Sequence, residues 1–331
     1  MKKSIIILLA ATIVMGAVSC KKEKNEPTNN VPTEPTYQEG VYAPLMKIET
    51  INYEDNNNIE TWNWNGEELT SITSTNNGTR NFTYNDGKIA QVNGGIMGIN
   101  GIINFTYNGD QLKQCTVNNE GADLALVSFT HAENKINGAD VAIDVDYVVS
   151  MLRELIPGLP TKSVNTKGIK LSESDNNAHV DFIWDNKNIK QMKMSADIPF
   201  EVTKEMYESI KPYLPLEESV LSMIDIYFLM HNSLHLQISV SDTIDYTYDM
   251  EGFNPYFCYM GDVSPVNLSL NNVASASTHG KINLSVNLTG NPMQLFSRPN
   301  EDQENYTYSY NEKKYPTKVQ GTKNYTITYK Q

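Results

Sequence analysis

Trp62-Asn63-Trp64-Asn65-Gly66 with Leu69 and Ile72, Phe82-Thr83-Tyr84-Asn85-Asp86-Gly87 with Ile89 and Val92, and Phe105-Thr106-Tyr107-Asn108-Gly109 with Leu112 and Cys115 are copies of one pattern. An aromatic pair spaced by two points to one face of a strand, and aromatics favour a pleated, half-buried surface. Asn-Gly and Asp-Gly supply the positive φ that tight hairpin turns require. Each copy therefore reads as strand, turn, strand. The apolar residues after each turn are three apart, a spacing that a regular strand cannot place on one face, so a bulge or a displaced turn residue is expected there.

The early copies recur about every twenty residues, the mark of an array of hairpins. Later copies are Phe182-x-Trp184-Asp185 with Ile189 and Met192, Tyr246-x-Tyr248-Asp249 with Phe253, and Tyr308-x-Tyr310-Asn311 with Tyr315; the copy around Phe129 is divergent. Tyr246-Thr247-Tyr248-Asp249 before Asn254-Pro255, and Tyr310-Asn311 before Tyr315-Pro316-Thr317-Lys318-Val319, resemble the YD-type repeats of Bacteroidetes lipoproteins of unknown function. That resemblance runs, with interruptions, from about Ile51 to the C-terminus. It implies an antiparallel sheet of successive hairpins without a known enzymatic centre.

Two helical insertions interrupt the meander. Between residues 146 and 156, Val148, Leu152 and Leu155 share a helical stripe, Asp146 can cap it, and Pro157-Gly158 ends it. Between residues 203 and 230, Pro212 and Pro215 divide the insertion into two helices. Val220, Leu221, Met223, Ile224, Ile226, Tyr227, Phe228, Leu229 and Met230 leave the second of these almost no polar face, so it is expected to be covered nearly all round. The simplest cover is a mostly β (α+β) fold in which a curled antiparallel meander holds the helices on its concave face, with Lys, Asn and Thr outside. The Asn- and Gly-rich stretches 93–101 and 271–280 read as loops.

The N-terminus has the three parts of an export signal: Lys2 and Lys3, an apolar run from Ile5 to Val18, and small residues before a cysteine. Ala17-Val18-Ser19-Cys20 resembles a bacterial lipobox. This predicts a signal peptide over 1–19, lipidation at Cys20, a solvated linker over 20–40 containing Pro27, Pro32 and Pro35, and one domain over 41–331. Membrane contact would then come through the acyl chains, at the outer membrane, on the cell surface or its periplasmic face. Loss of Lys2 and Lys3 takes the formal charge from −13 to −15, and an acidic domain repels phosphates, which argues against nucleic acid. Cys115 and Cys258 can pair in an oxidising compartment or stay as two buried thiols.

Candidate chemistry is thin. His231 and His235 have zinc-ligand spacing, yet the glutamate of the zinc-protease motif is absent and the pair lies where helix should give way to strand. Asp144 with Asp146, and Glu217 with Glu218, invite comparison with glycosidase carboxylates, but helix capping and the helix dipole account for them more simply. Gly94, Gly95, Gly98 and Gly101 match no dinucleotide fingerprint, and the polar runs 54–58 and 300–302 lack calcium-loop spacing. No catalytic, metal or cofactor-binding residue is assigned. The expected function is a lipid-anchored, non-enzymatic binding or interaction module with a glycan or protein partner. Its rivals are a carrier of a hydrophobic ligand held between sheet and helices, and, third, a hydrolase.

Overall fold

The computed structural model describes residues 34–96, 99–119, 121–144, 176–213, 217–261, 264–288 and 292–331. Cys20, the signal segment and the insertion expected over 146–156 lie outside them.

The described residues form one antiparallel sheet in which nearly every strand pairs with the next along the chain. In order these are β1 (Ile48–Tyr53), β2 (Ile59–Asn65), β3 (Glu68–Ser74), β4 (Gly78–Asn85), β5 (Lys88–Ile96), β6 (Ile99–Asn108), β7 (Gln111–Asn119), β8 (Ala122–Ala132), β9 (Lys135–Ile143), β10 (Ala178–Asp185), β11 (Asn188–Thr203), β12 (Ser233–Phe253), β13 (Asn271–Asn287), β14 (Pro292–Asn305), β15 (Thr307–Tyr310), β16 (Pro316–Gln320) and β17 (Tyr325–Tyr329). The last strand returns to the first, Ile51 lying opposite Ile327.

The parity of the meander explains how it closes. An odd number of alternating strands would bring the last beside the first in parallel, yet β1 and β17 are antiparallel. The exception is β14 and β15, which are separated by Tyr306 alone and act as one strand. The Tyr306 N–H continues the ladder to Ala274, one residue beyond the Ser275–Asn305 pair, and β15 then pairs with β16.

The expected bulges are present. Trp62 faces Ile72 but Trp64 faces Leu69, leaving Thr70 as the extra residue; the same slip occurs between Tyr84 and Ile89, Tyr107 and Leu112, and Trp184 and Ile189. Each slip returns both apolar residues of the second strand to the inner face. In the turn between β4 and β5, Asp86 and Gly87 both have positive φ, 51° and 75°. One apolar core follows from this alternation, including Trp62, Leu69, Ile72, Phe82, Ile103, Phe105, Val127 and Phe182.

Four strands outgrow the rest. β11 to β14 run to between 14 and 21 residues and project as a wing, β11 pairing beyond Ala196 with β12 alone. Helices α1 (Lys204–Ile210) and α2 (Glu218–Tyr227) connect β11 to β12 at the wing's tip. They cover its inner face through a second core of Val202, Tyr207, Ile224, Phe228, Leu234, Leu236 and Val286, with Tyr207 stacked on Phe228 at 5.1 Å.

Three expectations are corrected. Helix α2 is not covered all round: Ile224 and Phe228 are buried, whereas Met223, Ile226, Leu229 and Met230 are exposed by 47, 60, 77 and 78%. In ten residues with a 3.6 period, only the stripe of Val220, Leu221, Ile224 and the following Phe228 can meet one sheet. The two stretches expected as loops are largely strand: 93–96 and 99–101 pair in the β5–β6 hairpin, and 271–280 pair along β12, with 275–280 also paired to β14, where 300–302 lie in strand as well. The linker ends earlier than residue 40: Glu39 and Tyr42 are buried, and Tyr37 packs on Trp184 and Phe257.

Candidate functional site

The two ends of the sheet differ in kind. All the aromatic-pair turns lie at one end, together with the segment 34–45 and the connection from β12 to β13; the helices lie at the other. At about 3.3 Å per residue, the wing carries the helices roughly 50 Å from the turn end.

At the turn end, an aromatic side chain donates a hydrogen bond to a main-chain carbonyl of the preceding strand; it is the second of its pair except at Tyr308, the first of its pair, and at Tyr329 on β17. Trp64 donates to Ile48, Tyr84 to Leu69, Tyr107 to Ile89, Trp184 to Ile136, Tyr248 to Ile189, Tyr308 to Val273 and Tyr329 to Pro316, all at 2.6–2.8 Å. With Ile48 itself opposite Tyr329, these bonds form a ring with a single position unlike the rest. That position is His131, in the divergent copy, facing Ile136 as Trp64 faces Leu69.

The segment ahead of β1, residues 37–42, fills this place. Glu39 Oε2 accepts from the Leu112 N–H and lies 3.6 Å from His131 Nε2, while Glu39 Oε1 is buried without a hydrogen-bond partner among the described residues. Burial pushes the Glu39 carboxyl above its ordinary value, against the lowering effects of His131 and the Leu112 N–H. Gly40 accepts from the Ile89 N–H at 2.8 Å and lies on the Tyr107 ring, where a Cβ would collide with the phenol oxygen. Tyr42 donates to Pro255 at 2.7 Å and packs on Trp64 and Tyr259. Residues 254–261 and 264–270 complete the seal: Ser269 Oγ accepts from the Ile189 N–H, and Arg80 donates to Gly261. The space left between Tyr42, Phe82, Tyr84, Tyr259 and Met260 is too narrow to hold a water molecule.

Lysines brace this end from outside. Lys47, Lys88 and Lys135 lie over Trp64, Tyr107 and Trp184 and donate to the carbonyls of Gly66, Gly109 and Asn186. The signal in sequence is a Lys-Ile dipeptide at 47–48, 88–89 and 135–136.

The expected chemical candidates are not brought together. Tyr227 stacks on His231 at 4.1 Å in the turn after α2, whereas His235 is on β12, so the four-residue spacing is not helical. Among the described residues no group of three or more His, Cys, Asp or Glu is placed to hold a metal ion. Asp144 is buried after β9, with Asp146 outside the described residues; Glu217 and Glu218 are exposed at the start of α2. Gly94 faces Gly101 in the β5–β6 hairpin. Residues 54–58 turn around Asn58, whose Oδ1 accepts from Ser74, Thr75 and the Asn76 N–H. Cys115 and Cys258 are separate buried thiols, that of Cys115 pushed up to about 12 by complete burial.

No protein-family model matches the chain, and no curated protein matches it. No helix of the described residues is long and apolar enough to cross a membrane.

Proposed function

We propose that the chain is a lipid-anchored, non-enzymatic binding module of the cell envelope, held to the outer membrane through Cys20, and that it presents the tip of its wing to a protein partner. The observation that carries this reading is the exposed apolar face of Met223, Ile226, Leu229 and Met230, at the opposite end of the sheet from the segment that continues toward Cys20. Contiguous exposed apolar side chains mark interaction surfaces more often than isolated ones do. Glu205, Glu208, Glu217 and Glu218 are exposed on the same two helices, which favours a partner whose apolar contact is flanked by Lys or Arg.

A glycan is the weaker partner. Trp62, Phe82 and Phe105 are buried, and the indole and phenol groups of Trp64, Tyr84, Tyr107 and Trp184 are engaged in the ring of hydrogen bonds, which leaves these aromatics few faces for a sugar. The carrier alternative draws no support from the packed seal at the turn end, nor from the helices, which lie directly on Leu234, Leu236 and Val286.

Two experiments test the reading. Radiolabelled palmitate should enter the wild type and not Cys20→Ala; equal labelling would remove the anchor. A photo-crosslinking residue at Ile226, in intact cells, should yield one discrete protein adduct that is absent when the probe is placed at exposed Lys193 on the sheet. Adducts at both positions, or at neither, would overturn the tip as the binding surface.

A further inference from the structure

We infer that residues 34–42 form a proton-sensitive clasp, docked at the one position of the aromatic ring where His131 replaces Trp or Tyr and releasable as a unit while the sheet stays folded. The argument begins with what the ring lacks. Seven side chains tie each unit to its neighbour with an uncharged donor at 2.6–2.8 Å. At the remaining position the tie is supplied by Glu39, from a different part of the chain.

Two inward-pointing N–H groups depend on the clasp, that of Ile89 on the Gly40 carbonyl and that of Leu112 on the Glu39 carboxyl. Both follow a repeat turn, where the ladder slips and a donor is left facing the interior. The rest is held by aromatic contacts, Tyr37 on Trp184 and Phe257 and Tyr42 on Trp62, Trp64 and Tyr259, by the Tyr42 hydroxyl donating to Pro255, and by an exposed ion pair of Glu34 with Lys187. No strand of the closed sheet includes the clasp, so its departure breaks no ladder.

Proton sensitivity comes from the unmatched carboxyl. Glu39 Oε1 has no partner among the described residues and Oε2 is 3.6 Å from His131 Nε2, so the carboxylate form is poorly compensated. The groups facing Glu39 are His131 on β8, Lys88 at the start of β5, which is itself paired with Asp110, and the Tyr107 phenol on β6. The docked carboxyl titrates above 4.5, which is its value when released. Docking is therefore strongest in acid and weakens as pH rises from 4.5 through the docked value. Where Cys20 is the anchor, release adds nine residues to the tether, about 30 Å when extended; that consequence rests on the lipidation reading, but the clasp does not.

Hydrogen exchange of the purified full chain tests the clasp without reference to lipid. Protection factors at the Ile89 and Leu112 amides should fall together between pH 5 and pH 8, as loss of the Glu39 proton weakens docking. The Val127 and Val141 amides, inside the sheet, should not change. Glu39→Gln keeps an acceptor for the Leu112 N–H and should remove the pH dependence, whereas Glu39→Ala should expose both amides at either pH. Flat protection in the wild type, the same pH response in Glu39→Gln, or loss in step with Val127 would overturn the inference; for a variant that does not fold, the wild-type profile alone decides.

Discussion

Asp242 lies directly over Gly280 on the inner face of the sheet, and a Cβ at residue 280 would collide with its carboxyl. Asn300 Nδ2 donates to Oδ2 at 2.9 Å, but Oδ1 is buried without a partner among the described residues. Desolvation pushes the carboxyl from 3.8 up to about 6. The folded state therefore holds this proton more tightly than the unfolded chain. Its contribution is complete below pH 3.8 and is lost as pH rises through about 6. Asp242→Asn should be more stable than wild type at pH 8, by about 1 to 3 kcal/mol, and the gain should vanish near pH 4. Parallel pH profiles of the denaturation midpoints would refute this.

The hydrogen-bond ring can be probed at Tyr84, whose hydroxyl donates to Leu69 at 2.8 Å. Tyr84→Phe keeps the ring packing and removes one bond, so it should cost about 0.5 to 1.5 kcal/mol in denaturant unfolding. Phe82→Ala, which empties a buried site on the same strand, should cost about 3 to 5 kcal/mol. No loss of stability in Tyr84→Phe would mean that packing alone holds the turn end together.

The hairpin units and their bulges were legible because the evidence for them is local: an aromatic pair, a turn that needs positive φ, and apolar residues three apart. Closure was not legible, since it depends on Ile48 meeting Tyr329 and on Tyr306 fusing two strands into one. Residues 271–280 were misread as loop because small polar side chains also serve a long strand that is paired on both sides. The role of Glu39 was hidden for a different reason. It stands in a stretch whose Pro, Thr, Asn and Glu content suggests a tether, and its partner His131 is ninety-two positions away along the chain. The divergence of the copy around Phe129 was visible, but not what fills the gap.

Gly40 adopts φ 69° and lies against Tyr107. Alanine is strained at that φ, and its methyl would meet the phenol oxygen. Gly40→Ala should therefore undock residues 34–42, with loss of protection at the Ile89 amide and faster protease cleavage before Tyr42, while the main unfolding transition moves by less than a core mutation would move it. A variant with the wild-type cleavage rate would show that the ring of Tyr107 can move aside.

Helix α2 offers the sharpest contrast between neighbouring residues. Ile224 is buried against Tyr207 and the wing, whereas Ile226 is 60% exposed. Ile224→Ala should cost about 2 to 5 kcal/mol of local stability, read as lost protection at the Leu234 and Leu236 amides on the strand beneath. Ile226→Ser and Met223→Ser should change stability by no more than about 0.5 kcal/mol. If the apolar outer face serves a partner, the same two serine variants should abolish the adduct formed by a crosslinker at Leu229, while the protein stays folded. If the face serves only the fold, they should lower stability and leave that adduct unchanged. Residues 224 and 226 belong to one helix and differ mainly in direction, so the pair separates the demands of packing from those of binding.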